Sequence, residues 1–324
     1  MLYIIANRFF LTSFLLDRLD DNPDTVKILH PISPKGVKYS WVKLYESVFL
    51  KHQKNSQFYP LDYIVALQEI KPEDSVLIFG IENIKELTIL RRFVNSDNIS
   101  IFTWNPVVDY QQSKIFRKIH IKLLRKIGAK VCTFDPEDSK RYALKLINQV
   151  YRDVAEFVDP LIIEDADVYF VGQDKGRLPT LKRWIELLES VGAKTDFHIL
   201  KEKKIHYQPN DLQLISDRYI TYEENIRKIQ ASRCLFELLQ ENQSGQTIRS
   251  LESAFFQKKL ITNNAKIRQT PLYDPDRVFI IGENNPSDLG EFIRRPFNRI
   301  PESVLADYDF KEWILQFKLP NFTS

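Results

Sequence analysis

Short, wholly apolar runs alternate along the chain with longer amphipathic stretches, and this alternation predicts strands interleaved with helices. In the first half, residues 2–6 (LYIIA), 25–29, 75–80 (SVLIFG), 99–104 and 130–134 read as strands. Residues 14–19, 39–52, 61–70, 86–94 and 114–128 read as the intervening helices, the last stopped by Gly128. The pattern loosens between Val150 and Asp165, around Pro160, which places a linker there. A second set follows, with strands at 167–172 (DVYFVG), 195–200, 233–239, 259–262 and 277–282. Its helices fall at 177–191, at 222–231, from Gln246 or Thr247 onward, and at 310–317. Buried strands separated this regularly by helices predict the α/β class: parallel sheets with helices on both faces, in two consecutive doubly wound units.

The length of 324 residues fits two domains of about 150 each. A net charge of +3 argues against a general nucleic-acid binder, which shows a distinctly basic face. Cys132 and Cys234 lie far apart in strand-like segments, as buried thiols do in a reducing compartment. The apolar start is interrupted by Asn7 and Arg8 and lacks the marks of a signal peptide, and no continuous apolar span follows, so a cytoplasmic protein is expected. The helix at 114–126 carries Lys114, Arg117, Lys118, Lys122 and Arg125 opposite an apolar face. It reads either as a solvated surface helix or as a peripheral contact with the inner membrane face.

Candidate chemistry concentrates where strands of the second half end. The stretch from Gln243 to Asn264 reads as a polar loop, a helix and a buried strand. A helix start offers free N–H groups and a positive dipole end to an anion, and Gly245 permits close approach. Arg249 and Glu252 follow within the first turns, where both can face one ligand carrying an anionic and a hydroxylated part. Residues 172–178 (GQDKGRL) form a second loop of this kind, with Lys175 and Arg177 suited to a diphosphate. In the first half Asp135 and Asp138 follow a strand and read either as a general base or as helix N-caps. His30, after the second strand, is a weaker base candidate. Trp104 and Asn105 end another strand and read as a sugar-stacking edge or as core. No histidine or carboxylate spacing suggests a metal site, and an Asp165–Asp167 pair lies at the wrong end of its strand.

With 104–106 (WNP), 134–145 (FDPEDSKRYALK), 171–178 (VGQDKGRL) and 243–264 (QSGQTIRSLESAFFQKKLITNN) in view, the chain resembles bacterial GT-B-type glycosyltransferases of lipopolysaccharide and capsule biosynthesis, near the CgeB-like group. The resemblance implies two Rossmann-like domains facing across a cleft. Residues 1–155 would form the acceptor-side domain, 156–305 the nucleotide-sugar donor domain, and 306–324 a terminal helix returning to the first. It places the donor near Gly172, Lys175, Arg177, Ser244, Gly245, Gln246, Thr247 and Arg249, with Glu252 on donor hydroxyls. Trp104 and Asn105 would lie toward the acceptor, and Asp135, Asp138 or His30 would supply the base. The implied activity is metal-independent transfer of a sugar from a nucleotide donor, as substrate and without a cofactor, to a surface glycan or its lipid-linked precursor. The helix of 246–257 lacks the paired acids of an EX7E motif, since position 244 is Ser and 260 is Leu. A nucleotide-sugar epimerase on the same fold, or a non-catalytic nucleotide-sugar-binding protein, are the alternative readings.

Overall fold

The computed structural model describes residues 1–7, 9–17, 19, 25–30, 61–81, 84–105, 121, 122, 124–126, 128–203, 205–239 and 244–318. The helix predicted at 39–52 and most of the basic helix at 114–128 lie outside the described residues; positions 121, 122 and 124–126 are helical. The chain divides into two compact units, Met1–Asn148 with Ile314–Ser324, and Gln149–Trp313.

In the first unit the strands are β1 (Leu2–Ala6), β2 (Val26–Leu29), β3 (Ser75–Phe79), β4 (Asn98–Thr103), β5 (Lys130–Thr133) and β6 (Lys145–Leu146). All pair in parallel, in the order β2-β1-β3-β4-β5-β6. β1 and β3 are buried along their whole length, as their unbroken apolar sequences require. The helices α1 (Phe10–Leu16), α2 (Leu61–Gln68), α3 (Ile84–Phe93) and α4 (Pro136–Tyr142) connect them. One core gathers Ile5, Leu67, Ile78, Leu90, Ile101 and Leu124 from strands and helices. α1 begins and ends earlier than the apolar run at 14–19 suggests, because Asp17 leaves the helical conformation and caps Ser13 O.

The second unit repeats the plan with β7 (Ala166–Gln173), β8 (Thr195–Leu200), β9 (Ile215–Ser216), β10 (Ser232–Glu237), β11 (Lys259–Thr262) and β12 (Val278–Ile280). Their order is β12-β11-β10-β7-β8-β9, again all parallel. Helices α5 (Leu178–Ser190), α6 (Tyr222–Gln230), α7 (Ile248–Phe255), α8 (Leu289–Arg294), α9 (Glu302–Ala306) and α10 (Phe310–Trp313) complete it. Residues 151 and 308–310 bind one another through Tyr151 N–H to Tyr308 O (2.9 Å) and Phe310 N–H to Tyr151 O (2.8 Å). Beyond Trp313 the chain tightens into a 3-10 turn, Ile314–Phe317, which packs on β3 of the first unit's sheet.

Cys132 in β5 and Cys234 in β10 are fully buried and unbridged. Burial pushes both thiols up to about 12, so at pH 8 each is protonated and shielded. Iodoacetamide is therefore expected to leave both unmodified in the folded protein and to modify both in urea. A native adduct at either position by mass spectrometry would contradict the packing.

Candidate functional site

In the second sheet the chain steps outward from β7 through β8 to β9, then returns to place β10 against the other side of β7. The loops after β7 and β10 consequently diverge, and open parallel sheets take ligands in the crevice this reversal leaves at the carboxyl ends. The loop after β7 turns sharply: Arg177 N–H donates to Asp174 O at 2.8 Å, with φ of +49° at Lys175 and +77° at Gly176. Positive φ at both central positions is the type I′ turn, which glycine adopts without steric cost. Asp174 is buried and accepts from Leu178 N–H (2.7 Å) and the Tyr207 hydroxyl (2.9 Å), tying the turn to the start of α5.

The two cations of this turn have different situations. Arg177 donates to Gln173 O at 2.6 Å, to Asp174 O at 3.2 Å and to Leu238 O, so it clamps the loop after β7 to the end of β10. Its guanidinium lies 5.7 Å from the Phe170 ring centre, and burial lowers its pKa against the opposing pull of Asp174. A Cβ at Gly172 would come within 3.4 Å of Arg177 Nη2 and 3.3 Å of the Phe170 ring, so the bare strand there makes room for the clamp. Lys175 is exposed and makes no hydrogen bond or ion pair among the described residues.

At the start of α7, Thr247 is the N-cap, accepting Arg249 N–H at 3.0 Å. Its hydroxyl donates to Glu237, the last residue of β10. Glu237 is 4% exposed and also accepts the Thr262 hydroxyl. The group held at this helix start is thus the chain's own carboxyl group. Burial raises the Glu237 pKa, with the Thr247 and Thr262 hydrogen bonds opposing. Gly245 is buried and its carbonyl accepts Asn264 Nδ2 at 3.3 Å, and Ser244 and Gln246 on either side are half-buried.

One turn further, Glu252 is 2% exposed and sits at the centre of a polar network. Oε1 accepts Tyr222 OH and Asn225 Nδ2, each at 2.9 Å, and Oε2 lies 2.6 Å from Arg249 Nη1. The Tyr151 and Tyr222 hydroxyls are 2.5 Å apart, and Tyr169 OH donates to Asn225 Oδ1 at 3.0 Å. Arg249 also reaches Val171 O at 3.4 Å and lies 5.6 Å from the Tyr169 ring centre. Burial opposes the Arg249 charge, but Glu252 and the surrounding tyrosines outweigh it and raise its pKa. Burial, reinforced by Glu252, pushes the Tyr151 and Tyr222 hydroxyls well above their usual range, so they act as neutral donors. The network joins β7, α6, α7 and the segment before β7 into one rigid body behind the crevice.

The first sheet reverses between β1 and β3. Asn7 follows β1, accepts Phe9 N–H at 3.2 Å and donates to Gly80 O. Gly80 has φ +70°, and a Cβ there would meet Asn7 Nδ2 at 2.9 Å, so glycine is required by both conformation and space. His30, just past β2, lies with Nδ1 2.9 Å from Ala6 O. A carbonyl can only accept, so Nδ1 carries the hydrogen and Nε2 of the neutral ring keeps its lone pair. Asp135 is the buried N-cap of α4, accepting Glu137 N–H (2.8 Å) and Asp138 N–H (3.1 Å). Asp138 is buried in the first helical turn. Trp104 is half-buried and sets its edge against Phe79 (5.0 Å) and Phe102 (6.3 Å), with Asn105 exposed beside it.

Tyr151, Tyr169, Tyr222, Asn225, Glu237 and Asp174 carry this site's architecture, and sequence reasoning passes over them. Glu237 and Asp174 have a local signal, an acid at a strand's carboxyl end. The tyrosines have none, being scattered through a strand, a helix start and a linker. Among the described residues no three His, Cys, Asp or Glu side chains are grouped to hold a metal ion, and no helix is long and apolar enough to cross a membrane.

No protein-family model and no curated protein sequence matches the chain. Solved structures do match in fold. HepE (Alr3699) of Anabaena, in complex with UDP and glucose, is 10% identical with a TM-score of 0.58, over 98% of each chain. Sucrose-phosphate synthase of Thermosynechococcus elongatus is 10% identical with a TM-score of 0.52, over 98% of this chain and 97% of its own. AviGT4, a glycosyltransferase of avilamycin A biosynthesis, is 8% identical with a TM-score of 0.50, again over 98% and 97%. The chain therefore has the fold of GT-B glycosyltransferases: two Rossmann-like α/β units, each with its own six-stranded parallel sheet.

Proposed function

We propose that the protein is a glycosyltransferase that takes a sugar from a nucleotide-sugar donor, bound by the second unit at the reversal between β7 and β10. The observation that carries this reading is the likeness in fold, over 98% of both chains, to HepE in complex with UDP and glucose. The reversal supports it, because it opens a crevice lined by a type I′ turn, the unpaired Lys175 and the start of α7. In this reading Lys175 meets the diphosphate and stabilises its departure as charge develops on it. Gly172, Gly245 and the Ser244–Gln246 backbone border the donor. Arg177, Thr247, Arg249 and Glu252 hold the crevice in shape, since their polar atoms are engaged within the protein. The base toward the acceptor hydroxyl is assigned to His30, whose Nε2 is the acceptor end of a fixed tautomer. Asp135 and Asp138 are assigned to capping, and Trp104 and Asn105 to the acceptor side. The acceptor is proposed to be a lipopolysaccharide or capsule glycan, or its lipid-linked precursor, and the transfer to need no metal.

A thermal-shift and calorimetric screen against UDP-, GDP-, CMP- and dTDP-sugars tests the donor. One nucleotide class is expected to stabilise the protein by mass action. Lys175→Gln is expected to weaken that affinity by roughly tenfold, without changing the melting temperature of the free protein. Absence of any shift at millimolar donor would overturn the transferase reading. Turnover of donor with no acceptor, giving an epimer rather than free sugar, would favour the epimerase instead.

A further inference from the structure

The second unit contains a cavity of 570 Å³, far from the crevice. Arg233 at the start of β10 and Lys258 and Lys259 at the start of β11 line it, so it lies at the amino edge of the sheet, opposite the β7 and β10 loops. Arg294, Arg295 and Arg299 complete its basic wall, Asp159 and Glu164 line it as well, and Asp167 pairs with Arg233 at 3.3 Å. Glu164 is shared by Lys258 (3.1 Å) and Arg233 (3.5 Å), and Arg295 pairs with Asp276 (3.2 Å). Lys259 donates to Phe292 O and Arg295 O, and Arg294 to Gly290 O (3.0 Å) and Val191 O (2.8 Å), so both cations meet carbonyls and no carboxylate. Arg299 is exposed and makes no hydrogen bond or ion pair among the described residues. Positive charge is therefore in excess around the cavity.

The turn Asp159–Ile162 contributes Asp159 and Ile162 to its wall. It is closed by Ile162 N–H to Asp159 O (3.1 Å) and Leu161 N–H to Asp159 Oδ1 (2.9 Å). The end of α6 fastens it: Asp159 N–H donates to Gln230 Oε1 (2.7 Å), and Gln230 Nε2 donates to Phe157 O (2.9 Å). This held turn leaves Leu161 85% and Ile163 83% exposed, with Val158 half in water at the cavity wall. Val158, Leu161 and Ile163, exposed within six residues on a turn fastened by hydrogen bonds, form a small apolar patch. An aliphatic turn beside a cavity with excess positive charge has both halves of a membrane-surface site, apolar insertion and attraction to anionic headgroups.

We propose that the second unit docks on an anionic phospholipid bilayer, with Leu161 and Ile163 entering the acyl boundary and Arg299, backed by the excess positive charge of the cavity, meeting lipid phosphates. A protein partner would instead call for a broad, flat patch enriched in aromatic residues, which this tip is not. The surface is independent of the donor crevice and of the transfer reaction. Flotation of the whole chain with phosphatidylglycerol-containing vesicles, against pure phosphatidylcholine, is the test. Binding to the anionic vesicles alone, lost as salt rises from about 50 mM to about 500 mM, is the expected result. Leu161→Asp combined with Ile163→Asp, and separately Arg299→Glu, are each expected to lower binding by roughly tenfold at unchanged melting temperature. No flotation with anionic vesicles, or undiminished flotation of both variants, would overturn the proposal. So would release by millimolar glycerol 3-phosphate of a Leu161→Asp, Ile163→Asp protein that still floats like the wild type, since the cavity would then take a soluble phosphate ester.

Discussion

Glu252→Ala is expected to destabilise the second unit by about 3–5 kcal/mol, the cost of removing one partner of a buried ion pair. The substitution strands the Arg249 guanidinium against the Tyr169 ring and leaves Tyr222 OH and Asn225 Nδ2 without the acceptor they share. The loss arises from those orphaned groups, not from the attraction alone, so relief should follow from removing both. Glu252→Leu with Arg249→Leu is therefore expected to recover part of the stability lost in Glu252→Ala, because an apolar replacement leaves no buried charge unpaired. Urea unfolding of the wild type, Glu252→Ala and the double variant measures this directly. A loss below about 1 kcal/mol in Glu252→Ala would mean that the network carries no weight. A corollary concerns ligand binding: weaker donor affinity in Glu252→Ala is expected to follow from the loosened start of α7.

His30→Gln is expected to lower kcat for transfer by about 10²–10⁴-fold while leaving donor affinity unchanged, the range for loss of a positioned general base. Gln is close in size and can still donate to Ala6 O, so the anchoring contact survives while the basic nitrogen is lost. Asp135→Asn serves as the contrast. Its carboxylate accepts two N–H groups at the start of α4, and asparagine is also a favoured cap, so kcat is expected to stay within about threefold. Single-turnover transfer with the acceptor in excess separates the chemical step from donor binding. A collapse of kcat in Asp135→Asn with full activity in His30→Gln would reverse the assignment of the base.

Much of the architecture is local and therefore legible. The apolar runs LYIIA, SVLIF and KLIT read as buried strands, and they occur as β1, β3 and β11. The helix after Gly245 announces itself through Thr247, whose hydroxyl caps α7. β6 and β9 have no comparable signal, since each is two residues long and exists only by pairing with the edge of an already formed sheet. The difference is physical: a five-residue apolar strand gains from burial wherever it lands, while a two-residue one depends on its neighbour's unpaired backbone.

The site divides along the same line. Sequence alone determined two parallel α/β units, the carboxyl-edge position of the 172–178 and 244–247 loops, and the burial of both cysteines, because periodicity and caps are written in neighbouring residues. It marked Arg177, Arg249 and Glu252 as polar groups near a ligand, which is as far as residue type and spacing reach. What those groups bind emerges from the packed fold: Arg177 the carbonyls of two strand ends, Glu252 an arginine, a tyrosine and an asparagine, and Thr247 the buried Glu237. Each partner comes from another element of the chain, and a charge committed to its own fold differs from one left open, as Lys175 is, through those distant neighbours alone.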